Sequence, residues 1–142
     1  MPVNLRRAYL QPQQGYLGDA HTVKVFGAAA IPILTTDLVT GNQVALFRVP
    51  SQFVVTDWIG SVPGLDSGVA LTLSIGDAAS NTRFLNASTI GRGAGGALPA
   101  ILTTAIGFMF ITDTDILLTA TAGAGTPVAG SLQIFLRGFM GP

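Results

Sequence analysis

Apolar and polar residues alternate with a period of two along most of the chain, the pattern of a strand with one buried face. It is clearest in Val69-Ala-Leu-Thr-Leu-Ser-Ile75, where Val69, Leu71, Leu73 and Ile75 share one face and Ala70, Thr72 and Ser74 the other. Ser131–Arg137 repeats it with Leu132, Ile134 and Leu136, and Asp115–Ala122 with Ile116, Leu118 and Ala120. Ile106, Phe108 and Phe110 mark a strand before that one, and Thr22–Phe26, Gln43–Val49 and Phe53–Val62 bring the set to seven, with Phe84–Ile90 a weaker eighth. Turn residues separate them: Thr40-Gly41-Asn42, Pro63–Gly68, the tight pair Asp113-Thr114 and a longer loop from Ala122 to Gly130. Asp77–Thr82 reads as one short helical turn. No segment carries a long 3.6-residue period with caps. Short strands at regular spacing with Gly/Pro turns predict an all-β fold, a jelly-roll-like β-sandwich of about eight strands. Residues 21–142 form this one domain, of a size that builds its own core.

Residues 1–20 differ. They lack apolar periodicity and hold Arg6, Arg7, Tyr9, Tyr16 and three glutamines around Pro12. This stretch reads as an extended arm that gains order by lying on something else. Arg and Tyr combine apolar area with directional hydrogen bonds and anchor many interfaces. Arg6, Arg7, Tyr9 and Tyr16, with Arg92 in the later glycine loop, are therefore the candidate residues for contact with another subunit or another protein.

Composition changes this picture in one respect. Only 10% of the 142 residues are charged, against roughly 25% in an average domain, and the seven basic and seven acidic side chains cancel. So bland a surface suits a chain that faces other protein in an assembly. Zero net charge removes the footprint of a nucleic-acid binder. Gly93–Thr112 and Ile116–Leu136 are uncharged over 20 and 21 residues, the length of a membrane span. Their interior glycines, prolines and threonines break a helix, so no membrane association is expected. The opening residues lack the apolar run of a signal peptide.

The chemistry-bearing residues are sparse. There is no Cys, no Glu and one His, so no disulfide, multi-His metal centre or catalytic triad can be assembled. Neither enzyme activity nor a cofactor is expected. Gly91-Arg-Gly-Ala-Gly-Gly96 fits G-x-G-x-x-G, but a dinucleotide site needs a strand before it and a helix after it, and here Leu98-Pro99 and a β-like run follow. It reads as a glycine loop. His21, near Asp19, reads as a satisfied or solvent-facing histidine and not as a metal ligand. Asp57, Asp66, Asp77, Asp113 and Asp115 lack the D-x-D-x-D-G spacing of a calcium loop and read as turn-formers. Asn86-Ala-Ser88 matches a glycosylation sequon, with nothing to indicate secretion.

One resemblance spans about residues 43–137. Phe47-Arg-Val-Pro50, Phe53-Val-Val-Thr-Asp-Trp58, Leu65-Asp-Ser-Gly68, Ala70-Leu-Thr-Leu-Ser-Ile-Gly-Asp77, Arg83-Phe84, the run from Asp113 and Ala129-Gly-Ser-Leu-Gln-Ile134 occur in an order that resembles the decoration, or cement, proteins of tailed-bacteriophage heads. The resemblance implies a jelly-roll-like sandwich, often trimeric, made in the bacterial cytoplasm. Its implied place is the capsid exterior, where it holds the major capsid protein and bridges capsomers. The arm at 1–20 and the loop at 91–97 lie outside the pattern and are expected to set partner choice. The competing reading is a jelly-roll receptor- or glycan-binding module of a phage fibre or spike. That module needs exposed aromatics, and Trp58, the only tryptophan, sits inside a strand pattern.

Overall fold

Nine strands form two facing sheets in the computed structural model, which describes residues 5–7 and 23–141. The strands are β1 (Leu5–Arg7), β2 (Lys24–Ile33), β3 (Gln43–Val49), β4 (Phe53–Pro63), β5 (Thr72–Gly76), β6 (Leu85–Ser88), β7 (Gly95–Ala97), β8 (Thr114–Ala122) and β9 (Gly130–Met140). One sheet has the order β1-β3-β8-β5-β6 and the other β2-β9-β4-β7. The antiparallel pairs β2–β9, β3–β8, β4–β7 and β5–β6 nest one inside the next. Such nesting is a long hairpin of four strand pairs rolled into a sandwich, which is the jelly roll. The expected all-β sandwich is what forms.

The inner faces follow the alternation. Val44, Phe47 and Val49 of β3, Leu73 and Ile75 of β5, and Ile116, Leu118 and Ala120 of β8 meet Phe53, Val55 and Trp58 of β4 and Leu132, Ile134 and Leu136 of β9 in one buried cluster. Phe26 packs edge-on against Phe53 at 4.9 Å, a favoured geometry for aromatic pairs.

Four local expectations change. Val69 is 80% exposed, not inward, and β5 begins only at Thr72. The run containing Ile106, Phe108 and Phe110 is no regular strand. It meets the start of β4 over Gly107–Phe110 only, through the bridge Val54 to Met109 and backbone bonds of Gly107, Phe108 and Phe110 to Phe53 and Val55, and leaves Ile106 exposed. Gly107, at φ +83°, bends it there. Residues 77–82 form no helix: the Asp77 carboxylate accepts the N–H groups of Ala79 and Ser80, closing a tight turn. The glycine loop contains a strand, β7, paired with Ser61–Pro63 of β4.

Residues 5–7 of the arm form β1, laid parallel on the edge of β3 with Leu5 beside Gln43. Close approach also shapes the second sheet. Gly27 of β2 and Gly60 of β4 flank the middle of β9 from either side, and a Cβ on either one falls 2.0 or 2.1 Å from a β9 carbonyl oxygen. Only glycine fits these places. Gly60→Ala is expected to cost about 3 kcal/mol, as overpacking against backbone does, seen as an earlier midpoint in urea unfolding.

Candidate interaction surface

Asp66 organises one end of the sandwich. It is fully buried, and its carboxylate accepts five backbone N–H groups. Gly68 and Thr126 each donate at 2.9 Å, Leu71 at 3.0 Å, Ala70 at 3.2 Å and Gly125 at 3.3 Å. These bonds, led by that from Thr126, hold the carboxyl below its ordinary value of 3.8 against the opposing effect of burial. Asp66 also uses its own backbone: its N–H donates to Gly91 and its carbonyl accepts from Gly93. The segments 66–71, 91–93 and 125–126 are thereby tied to a single residue. Two further bonds, Gly123 N–H to Thr40 Oγ1 and Ala124 N–H to the Leu38 carbonyl, add the loop that precedes β3.

Arg92 supports this end from inside. Its Nε donates to the Leu71 carbonyl at 2.8 Å, so half-buried Arg92 braces the Asp66 loop. Arg6 is likewise engaged within the chain. Its guanidinium donates twice to Asp37, at 3.0 Å from Nε and 2.7 Å from Nη2, and to the Pro32 carbonyl. Asp37 also accepts the Leu34 N–H. Arg6 therefore pins β1 to the turn after β2. Arg7 lies in β1 beside Ala45. Tyr9, Tyr16, Asp19 and His21 lie outside the described residues. The structure thus brings Arg6 and Arg92 to the same half of the molecule without joining them into one cluster.

Three further ion pairs lie at the far end and along one outer face. Arg48 meets Asp115 at 2.9 Å, Arg83 meets Asp77 at 2.6 Å and Arg137 meets Asp57 at 2.5 Å. Contact with Asp57 raises the pKa of Arg137. Asp113 accepts the Ser51 N–H, bracing the turn between β3 and β4. The Arg83 guanidinium stacks 3.7 Å above the Phe108 ring. A groove of about 580 Å³ opens there, lined by Arg48, Arg83, Phe108, Phe110, Ile111 and Asp115 among others. Every described aspartate is thus held by an arginine or by backbone N–H groups. Among the described residues no three His or Asp converge in a way that could hold a metal ion.

Gly91–Gly96 runs into strand β7 and not into a helix, so it offers no helix N-terminus to a pyrophosphate. The uncharged stretches 93–112 and 116–136 supply β7, β8 and β9 with their connections. Among the described residues no helix is long and apolar enough to cross a membrane. Trp58 is buried, and its Nε1 donates to the Pro99 carbonyl at 2.8 Å, so its ring offers no platform to a sugar.

Polar anchors drew notice in the sequence, while the exposed apolar residues did not. Val39, Val69 and Val128 stand at the Asp66 end, and Val25, Ile59 and Phe139 on the outer face of the four-stranded sheet. Val69 is part of an alternating run and carried no sequence signal that it faces outward.

No protein-family model matches the chain, and no curated protein sequence matches it. Two solved structures share its fold. A chain of the capsid of Ralstonia phage GP4 superposes with a TM-score of 0.78 at 22% identity, over 99% of both chains. A chain of the cyanophage Pam1 capsid asymmetric unit superposes with a TM-score of 0.73 at 23% identity, over 93% of this chain and 96% of that one.

Asp66→Asn is expected to loosen this end, because an amide keeps one acceptor oxygen and turns an NH2 group toward backbone donors. The sign of the pH effect follows from the lowered carboxyl. Its stabilisation is complete above about pH 4 and drains away as the pH falls below that. Thermal melts of the native protein should therefore drop steeply from pH 4 to pH 2, whereas those of Asp66→Asn start lower and fall less over the same range.

Proposed function

We propose that this chain is a structural virion protein that binds the outside of a phage head, contacts the major capsid protein and stabilises the shell by bridging capsomers as a homotrimer. It is made in the bacterial cytoplasm and acts by binding, without catalysis, cofactor, nucleic acid or membrane. One observation carries the reading: the jelly roll matches, over almost its whole length, chains from two phage capsids. The consumption of the described carboxylates by arginines and backbone N–H groups supports a binding role, since acid–base chemistry needs a carboxyl positioned toward a substrate.

In this reading Tyr9, Tyr16 and Arg7 supply part of the contact, and Arg6 sets where the arm leaves the sandwich by holding β1 to Asp37. The purified protein should sediment with heads of the same phage assembled without it, and light scattering should give three times the chain mass of 14.6 kDa. A monomer with no affinity for heads rejects the proposal. Tyr9→Ala with Tyr16→Ala should leave the melting curve in place and weaken head binding about tenfold or more, as loss of aromatic anchors does. Unchanged binding removes the arm from the interface.

A further inference from the structure

We infer that the outer face of the four-stranded sheet is the surface that each chain sets against a neighbouring copy of itself in the homo-oligomer. This rests on the homo-oligomeric capsid reading above.

Strand pairing makes the face contiguous. Across it Val25 stands beside Arg137 and Arg137 beside Asp57, while Gly27 stands beside Phe135 and Phe135 beside Ile59. Phe139 stands beside Val54, which is bridged in turn to Met109. Paired residues point to the same side of a sheet, so Val25, Val54, Ile59, Met109, Phe135 and Phe139 form one apolar surface. Ile59 is 57% exposed, Val25 52%, Phe139 42% and Met109 40%. By contrast Val39, Val69, Ile111 and Val128 stand on connections, where no ladder sets them side by side.

The two outer faces of the sandwich differ. On the five-stranded sheet Gln43 donates to Thr119, Thr72 bonds Thr121 and Arg48 meets Asp115. The outward Leu117 of that sheet is already buried. That face carries polar groups suited to water. On the four-stranded sheet and the 107–110 segment the charged side chains are Lys24, which is buried, and Asp57 and Arg137, which neutralise each other. A contiguous exposed apolar face marks a contact surface.

Size, timing and charge point to a second copy as its occupant. Strands about 4.8 Å apart, rising about 3.3 Å per residue, give a four-stranded sheet with 11-residue β4 and β9 an outer face of roughly 700 Å², comparable with the ~800 Å² per partner of a standard interface. Interfaces between copies of one chain are more apolar than those between proteins that meet later. A protein that joins heads from solution must first exist without them, and an apolar face left open in that interval drives association. A second copy is present from synthesis onward and brings no net charge to oppose contact. The Asp57–Arg137 pair is satisfied within the chain and asks no opposite charge of the partner. The copies should therefore hold together by apolar burial and stay assembled when salt is raised from about 0.1 M to about 0.5 M.

The chain has no cysteine, so a single introduced thiol reports on its own place. Ile59→Cys is compared with Thr121→Cys, which lies exposed on the outer face of the other sheet. Mass by light scattering and the rate of reaction with a disulfide reagent are measured for each, and mass for Ile59→Asp and Thr121→Asp. Both thiol variants should keep three times the chain mass of 14.6 kDa. Ile59→Cys should react about tenfold or more slowly than Thr121→Cys, because access governs thiol exchange. Ile59→Asp should fall to the mass of one chain, since an unpaired charge in a closed apolar contact is costly, and Thr121→Asp should keep the native mass. The thiol comparison decides even where Ile59→Asp does not fold. Equal thiol rates in the assembled protein, assembly retained by Ile59→Asp, dissociation of Thr121→Asp or dissociation by salt overturns the inference. A monomeric native protein that binds heads overturns it too, while head binding in the reading above stands; protection of Ile59→Cys only on heads then makes this face the shell contact. An assembled protein with the expected thiol pattern and no affinity for heads upholds the face and rejects the capsid reading.

Discussion

The Asp66 carboxylate is the interaction on which one whole end of this protein depends. Two connections that belong to different hairpins, one after β4 and one before β9, have no regular ladder to satisfy their N–H groups. A buried donor without an acceptor is costly, and five of these donors converge on two oxygens of one side chain. The burial that ought to penalise the charge is outweighed by the donors that surround it. Because Asp66 binds residues 68–71, the chain cannot begin β5 at Val69. The strand starts three residues later, and the valine turns outward.

The rest of the architecture follows from nested pairing. Each of the four antiparallel strand pairs places residues far apart in sequence side by side, such as Lys24 with Gly138 and Gln43 with Thr119. β9 lies between β2 and β4 and is gripped on both edges, closely enough that glycine alone fits beside it at positions 27 and 60. The inner faces carry apolar side chains throughout. Four arginine–aspartate pairs staple neighbouring segments, as Arg6 staples β1 to the turn at Asp37 and Arg137 staples β9 to β4.

Much of this was legible in the residues. Gln43–Val49 is β3 to the residue, and β4, β8 and β9 begin and end close to their expected bounds. Where the reading departed, a side chain or a glycine intervened. Asp77 turned an expected helical turn into a carboxylate-capped bend. Gly107 took the run at 106–110 out of regular pairing. Gly95–Ala97 has no side-chain pattern at all, so β7 could be found only through its partner, β4. Arg6 and Arg92 stood out as candidate anchors for a partner, but both reach acceptors within their own chain, Asp37 and the Leu71 carbonyl. An arginine looks the same in sequence whether its acceptor lies within the chain or beyond it.

The sequence by itself determined that this is an all-β chain poor in charge and lacking the residues of common active sites, because a period of two and a residue inventory are local properties. It also located the turns, whose Gly, Pro, Asn and Asp residues act on their own backbone. Only the tertiary structure decided which strands pair, where the Val69 run leaves the sheet, and which acceptor each arginine meets. Those outcomes depend on contacts across long stretches of chain, such as Asp66 with Thr126. A carboxylate sixty residues from its strongest donor leaves no periodic trace in the order of the amino acids.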